Sequence, residues 1–166
     1  MGMPQVPVKW TADLVRALPD DGNRYELVDG ALLVTPAPSW RHQEAAAALY
    51  DRLKPYVKRS GIGSLLWSPA DISLGEDEIL QPDLFVAPFI AGRRPDNWND
   101  IHGLLLAVEV LSPSTARYDR QVKRRRFQRA GVPEYWIVDT DARLIERWRP
   151  NDIRPEILEA TLSWHP

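Results

Sequence analysis

The run Leu104 to Leu111 constrains this chain more than any other feature, because it is apolar at every position except Glu109. Continuous apolarity of that kind belongs to a strand covered on both faces, so the chain needs a sheet with layers on each side. A carboxylate inside such a strand costs several kcal/mol to bury ionised unless a cation or hydrogen bonds compensate. Two answers satisfy Glu109 equally well at this point. An arginine can pair with it as a structural element, or the glutamate can hold a cation for chemistry.

The flanking sequence supplies the other elements. Leu27-Val28 and Ala31 to Val34 surround Asp29-Gly30, a dipeptide that favours a two-residue hairpin, and Pro36 and Pro38 close it. Ser39 is a helix cap, and the spacing of His42, Ala46, Leu49, Leu53 and Tyr56 predicts a helix to about Lys54, with a kink at Pro55. Leu65-Leu66-Trp67 and the alternating Asp71-Ile72-Ser73-Leu74 read as strands, and Asp83 to Ala87 as a short strand stopped by Pro88. A loop rich in Pro, Asn, Asp and Gly spans 88–103. After the Glu109 strand, a helix is expected from about Asp119 to Ala130 with Gly131 as its stop. Glu134 to Asp139 and Leu144 to Trp148 form a second hairpin, and Ile157 to Leu162 an edge strand. The pattern is α/β, with a mixed central sheet, two main helices and hairpins toward both ends. The 166 residues suit one domain: an irregular arm at 1–23, a core at 24–148 and a C-terminal edge at 149–166.

Composition removes several classes. The chain has no cysteine, which excludes disulfides, zinc–thiolate centres and cysteine nucleophiles and suits a cytoplasmic setting. No segment approaches the ~20 apolar residues of a membrane helix, and Met1 to Lys9 lacks the apolar run of a secretory signal. Ser112 is followed by Pro113 and no serine sits in a glycine elbow, so a Ser/His/Asp hydrolase does not fit. No glycine-rich phosphate loop is present. The net charge of -2 argues against indiscriminate coating of nucleic acid. Yet Arg117, Arg120, Lys123, Arg124, Arg125, Arg126 and Arg129 crowd one stretch opposed only by Asp119. That stretch is a solvated helix face or a local phosphate-binding ridge.

Asp83 bears on the choice left open for Glu109. If the two strands pair antiparallel across the 88–103 loop, the start of one lies beside the end of the other. Two carboxylates then converge and repel unless a divalent cation sits between them. Oxygen donors without cysteine or a histidine pair point to Mg²⁺, with Mn²⁺ as a substitute. On the following helix, Asp119, Lys123, Phe127 and Ala130 share one stripe, so Lys123 faces inward while Arg124 and Arg125 project out. Lys123 either pairs with Asp119 four residues back or stands beside the metal to orient or help deprotonate a water.

Several segments together resemble the Uma-two (Uma2) family of restriction endonucleases, a branch of the PD-(D/E)XK nuclease superfamily. They are Gln81-Pro82-Asp83-Leu84, Val108 to Thr115, Asp119 with Lys123, and Gly131 to Asp139. Tyr25 to Gly30 and the His42 helix match the family's N-terminal pattern, so the resemblance runs from about Arg24 to Trp148. It implies a restriction-endonuclease-like core and metal-dependent hydrolysis of DNA phosphodiesters, RNA not excluded, leaving a 5′-phosphate. Asp83 and Glu109 then correspond to the two motif carboxylates, with the Val110 carbonyl as a third metal ligand. The superfamily lysine two residues after the second carboxylate is replaced here by Leu111. The family supplies it from the next helix, where Lys123 matches. Glu26 resembles an accessory glutamate that binds metal or caps its own hairpin, and His42 resembles a recurrent position that is a core histidine or an accessory group. Arg120, Arg124 and Arg125 are the expected backbone-phosphate contacts. Asp71 is an outer carboxylate or a surface residue, and Asn97 and Trp98 either reach a groove or pack their loop. A homodimer is expected, with Trp10, Trp148 and Trp164 as candidates for its contact. The rival reading is a nuclease-fold protein that binds nucleic acid, or serves in an assembly, without cutting, which Leu111 favours.

Overall fold

The computed structural model describes residues 9–166, so the first eight residues of the expected N-terminal arm lie outside the description. A short helix α1 (Ala12–Arg16) precedes the hairpin β1 (Arg24–Val28) and β2 (Ala31–Thr35). The arm is therefore not wholly irregular. Its helix is capped by the Thr11 side chain and buries Ala12 and Val15 against Leu27 and Ile79. In the hairpin turn Asp29 and Gly30 both take positive φ, 51° and 78°, as a type I′ turn demands.

Helix α2 (Trp40–Ser60) starts where the Ser39 side chain accepts from the His42 amide, and stops at Gly61, whose left-handed φ of 63° ends it. It runs six residues beyond Lys54, through Pro55. The proline is exposed there, so the carbonyl left without its helical donor can be solvated.

One six-stranded sheet has the order β3 (Gly63–Trp67), β4 (Leu84–Pro88), β5 (Leu106–Val110), β6 (Glu134–Asp139), β7 (Leu144–Trp148) and β8 (Glu156–Leu158). Every neighbouring pair is antiparallel except β5 and β6. That parallel pair requires a crossover, supplied by α3 (Ala116–Tyr118), a π turn (Asp119–Lys123) and α4 (Arg124–Arg129). The second main helix is thus a composite. Two differences from the sequence reading concern strands. Residues 71–74 form only an isolated bridge, Ile72 with Leu80, since the Leu74 amide turns instead to the Glu78 carboxylate. The edge strand is three residues at 156–158, not 157–162, because Leu162 and Trp164 leave the sheet to pack on its α2 side.

Alternation along the strands builds two cores. Leu84, Val86, Leu106, Val108, Trp136 and Val138 face α2 with Leu53 and Val57. Phe85, Ala87, Ala107, Tyr135 and Ile137 face the other way, toward Val28 of the hairpin and Phe127 of α4. Trp164 and Trp148 are buried in these two cores, so neither is available to a dimer contact, while Trp10 packs against the α1 cluster. No helix among the described residues is long and apolar enough to cross a membrane.

Candidate active site

Period two decides which side chains meet. Leu84 pairs with Val108 in antiparallel register, so Asp83, one residue before β4, lies beside the end of β5. Asp83 shares parity with Phe85, and Glu109 with Ala107, which sends both carboxylates to the hairpin side of the sheet. On β1, Arg24 and Glu26 share parity with Val28 and point at the same place. The composite helix completes the ring. Asp119 and Lys123, four residues apart across the π turn, are both buried.

Asp83 is held on every side. Arg24 donates to Oδ1 at 2.7 Å, while the His42 ring nitrogen at 3.0 Å and the Val110 amide at 2.8 Å meet Oδ2. Burial works to raise its pKa, but His42 and Arg24 outweigh it and hold the carboxyl well below the usual range. Burial disfavours the charge on His42, and Asp83 overcomes this to raise its pKa. Arg24 is likewise kept charged by Glu109, Asp83 and Glu26 against the cost of burial.

Lys123 lies one layer deeper. Its side chain is 1% exposed, and its Nζ contacts Glu26 at 2.9 Å, Asp119 at 3.0 Å and Glu109 at 3.1 Å. Burial alone would favour a neutral amine, but the three carboxylates push its pKa well above the ordinary lysine value. Lys123 is thus a fixed ammonium whose three donors all face carboxylates, which suits it to offsetting their negative charge. Glu26 also accepts the Gln81 amide at 2.7 Å, so it links the hairpin to the segment before Asp83 rather than capping its own turn.

The charges do not balance. Asp83, Glu109, Glu26 and Asp119 face only Arg24 and Lys123 as permanent cations. Burial, with Asp83, Asp119 and Glu26 nearby, pushes the Glu109 pKa well up despite Lys123. Asp119 is raised as well, chiefly by burial. Four buried carboxylates crowded together, two of them with raised pKa values, form an oxygen-donor set that fits a hard divalent cation such as Mg²⁺ or Mn²⁺. Among the described residues, no three carboxylate or histidine side chains form a ready cation cage. A two-carboxylate set therefore needs backbone or substrate oxygens to complete it.

Above this cluster lies a cleft of about 1320 Å³. Asp83 and Val110 form part of its lining, along with Arg24, His42 and the 111–115 segment, while Glu109 and Lys123 sit behind them. Leu111 lines the cleft and is partly buried. Asp71, exposed at the margin, accepts from the Gln81 side chain at 3.1 Å.

The three arginines expected at phosphates do not line this cleft. Arg120 is tied to Glu146 at 2.7 Å and Asp139 at 2.9 Å. Arg124 bonds Gln128 and stacks on Trp148, 4.5 Å from its ring, and Arg125 is exposed. Trp98 packs edgewise on Phe85 with ring centres 6.2 Å apart, and the Asn97 amide is capped by Asp100. Arg24 and Asp119 are the residues that sequence reasoning undervalued. The signal for Arg24 was its two-residue spacing from Glu26 on one strand. Asp119 was placed on the inward stripe but weighed only as a pairing partner of Lys123, whereas it is 1% exposed and belongs to the buried carboxylate cluster.

A mixed sheet bearing a carboxylate–lysine cluster at the end of adjacent strands, beneath a cleft, defines a nuclease-like α/β protein. The chain belongs to the Uma2 family: the family's model, described as "Putative restriction endonuclease", matches residues 12–164. It is also similar to a crystal structure described as a putative nuclease belonging to DUF820 from Anabaena variabilis ATCC 29413. That likeness has a TM-score of 0.74 and 21% identity, covering 94% of this chain and 89% of the other. No curated protein matches the chain.

Proposed function

We propose that the chain is a Mg²⁺-dependent endonuclease, with Mn²⁺ able to substitute, that hydrolyses DNA phosphodiester bonds. The crowding of buried carboxylates around Asp83 and Glu109, with Asp83 lining the cleft and Glu109 directly behind it, is the observation that carries this reading. Asp83, Glu109 and the Val110 carbonyl are the residues that would hold the cation. When bound, it supplies Lewis-acid polarisation of the phosphate and acidification of a water. With Glu109 drawn to the cation, Lys123 would regain a donor to orient the attacking water, and its fixed positive charge would offset charge developing on phosphorus oxygens. Glu26 and Asp119 keep that ammonium in place, and Arg24 and His42 fix the Asp83 carboxylate in its ionised form. Of the helix arginines, exposed Arg125 is best placed to meet backbone phosphate; Arg120 and Arg124 would first leave internal partners. A homodimer remains part of the proposal, and exposed Trp40, Ile153 and Ile157 are the apolar groups that could serve it.

Nicking of supercoiled plasmid in Mg²⁺ or Mn²⁺ tests the reading, using wild type, Asp83→Asn, Glu109→Gln and Lys123→Met with melting curves on each. Nicking by wild type, cut at least about 100-fold in the folded variants, supports it; loss of one such group is on the order of 3 kcal/mol of barrier. Leu111 favours a second reading, a nuclease-fold protein that binds DNA without cutting. DNA retention with no product at any metal concentration would support that one.

A further inference from the structure

The cleft has an aromatic wall that the hydrolytic chemistry does not use. Trp67 closes β3 directly opposite Leu84, the residue after Asp83, and the Ser68 amide donates to the Asp83 carbonyl at 3.3 Å. Its parity with Leu65 turns the indole to the α2 side of the sheet, yet it is 56% exposed and lines the cleft. Tyr50 on α2 meets it edge-on, with ring centres 5.2 Å apart and planes at 89°. That contact fixes the plane of the indole through its neighbour's edge. One turn further, the Lys54 ammonium stands 4.8 Å from the Tyr50 ring centre. Ala46 and Ala47, one turn earlier, are small and leave the wall open.

Resting on the nuclease reading above, we propose that Trp67, braced by Tyr50, stacks an unpaired nucleobase of the substrate strand beside the Asp83 end of the cleft. Bases inside a duplex are stacked on one another and offer only their edges to a groove. An open indole that lines the same cleft as Asp83, from the other face of the sheet, therefore favours a strand whose base is already free or is splayed out at the cut. The cleft volume exceeds the 300–1,000 Å³ typical of small-ligand sites, so it has room for more than a single nucleotide. The substrate class that follows is single-stranded DNA, or a strand unpaired locally at the scissile phosphate. Stacking of this kind tolerates any base, since every base has a π face.

The test uses a short single strand carrying 2-aminopurine, whose fluorescence is quenched by stacking, and the same strand in a blunt duplex. Binding is followed with Ca²⁺ in place of Mg²⁺, and the DNA is checked on a gel for integrity. Wild type should quench the single strand and bind it in preference to the duplex. Trp67→Ala should lose the quench and bind the single strand roughly 5- to 150-fold more weakly. Trp67→Phe should restore most of both, and neither change should alter duplex binding or the melting temperature. Trp67→Ala protein that quenches and binds as wild type overturns the inference, as does a wild-type preference for duplex. Plasmid nicking by the same Trp67→Ala sample would then leave the nuclease reading intact. Wild type that binds no nucleic acid and nicks nothing removes both.

Discussion

Lys123 is the residue on which the buried cluster depends. Three carboxylates surround it within about 3 Å, so replacing it leaves unpaired charge in the interior. Lys123→Met should lose about 3–5 kcal/mol of stability near pH 8 by urea denaturation. The loss should shrink toward pH 5 as the carboxylates take up protons. Glu109 gives the same dependence a sign in the intact protein. Its folded pKa lies above the unfolded value, so the native state retains a proton that the unfolded chain releases. Stability of the metal-free protein therefore declines as pH rises from about 4.5 toward the folded value. Asp119, raised in the same sense, adds to the decline, as does His42, whose stabilisation is present below its unfolded pKa and fades as pH rises through the folded one. Asp83 acts oppositely, losing its contribution as pH falls below the unfolded carboxylate range, which places its effect outside this window. Glu109→Gln should flatten the decline that begins near pH 4.5 by up to about 1.4 kcal/mol per pH unit. An unchanged slope would mean that Glu109 is ionised without metal.

At the scale of elements, the strand pairing that carries Asp83 depends on Gly63. A Cβ there would lie 2.2 Å from the Ala87 carbonyl oxygen, a backbone atom that cannot step aside without disturbing β4. Gly63→Ala should therefore cost about 1–3 kcal/mol by urea denaturation, far more than an exposed glycine replacement elsewhere. A cost under about half a kcal/mol would show that the β3 edge repacks freely. What was readable in the sequence follows from how local each signal is. The Asp29-Gly30 turn, the Ser39 cap and the apolar run holding Glu109 are short-range features, and each forms the element that its residues dictate. The antiparallel register of β4 and β5 followed from the intervening loop, and it brings Asp83 beside the end of the Glu109 strand. The π turn was not readable, since it inserts one residue into an otherwise helical pattern and only tertiary packing on Lys123 reveals it. The arginine ridge was only partly readable for a related reason: a charged stretch has no local signal for whether its partners are solvent, phosphate or, as for Arg120, Asp139 and Glu146.

For the whole molecule, the sheet acts as a frame between two cores, and the functional cluster occupies one end of its hairpin side. Five separate stretches of chain converge there: β1, the start of α2, the segment before β4, the end of β5 and the crossover. Cation binding should accordingly stabilise the global fold rather than one loop, raising the melting temperature of wild type with saturating Mn²⁺ in proportion to occupancy. Asp83→Asn should show no such rise.

Isothermal titration of Mn²⁺ into wild type and Glu109→Gln, in two buffers of different protonation enthalpy near pH 7, is the most direct test of the buried charge excess. Because burial raises the Glu109 pKa, wild type should bind about one Mn²⁺ per chain and release whatever proton Glu109 carries without metal. Glu109→Gln should bind much more weakly and release none. Wild-type protein that takes up no Mn²⁺, or equal binding by the folded variant, would contradict a cation site at Asp83 and Glu109 and leave the cluster as a structural one.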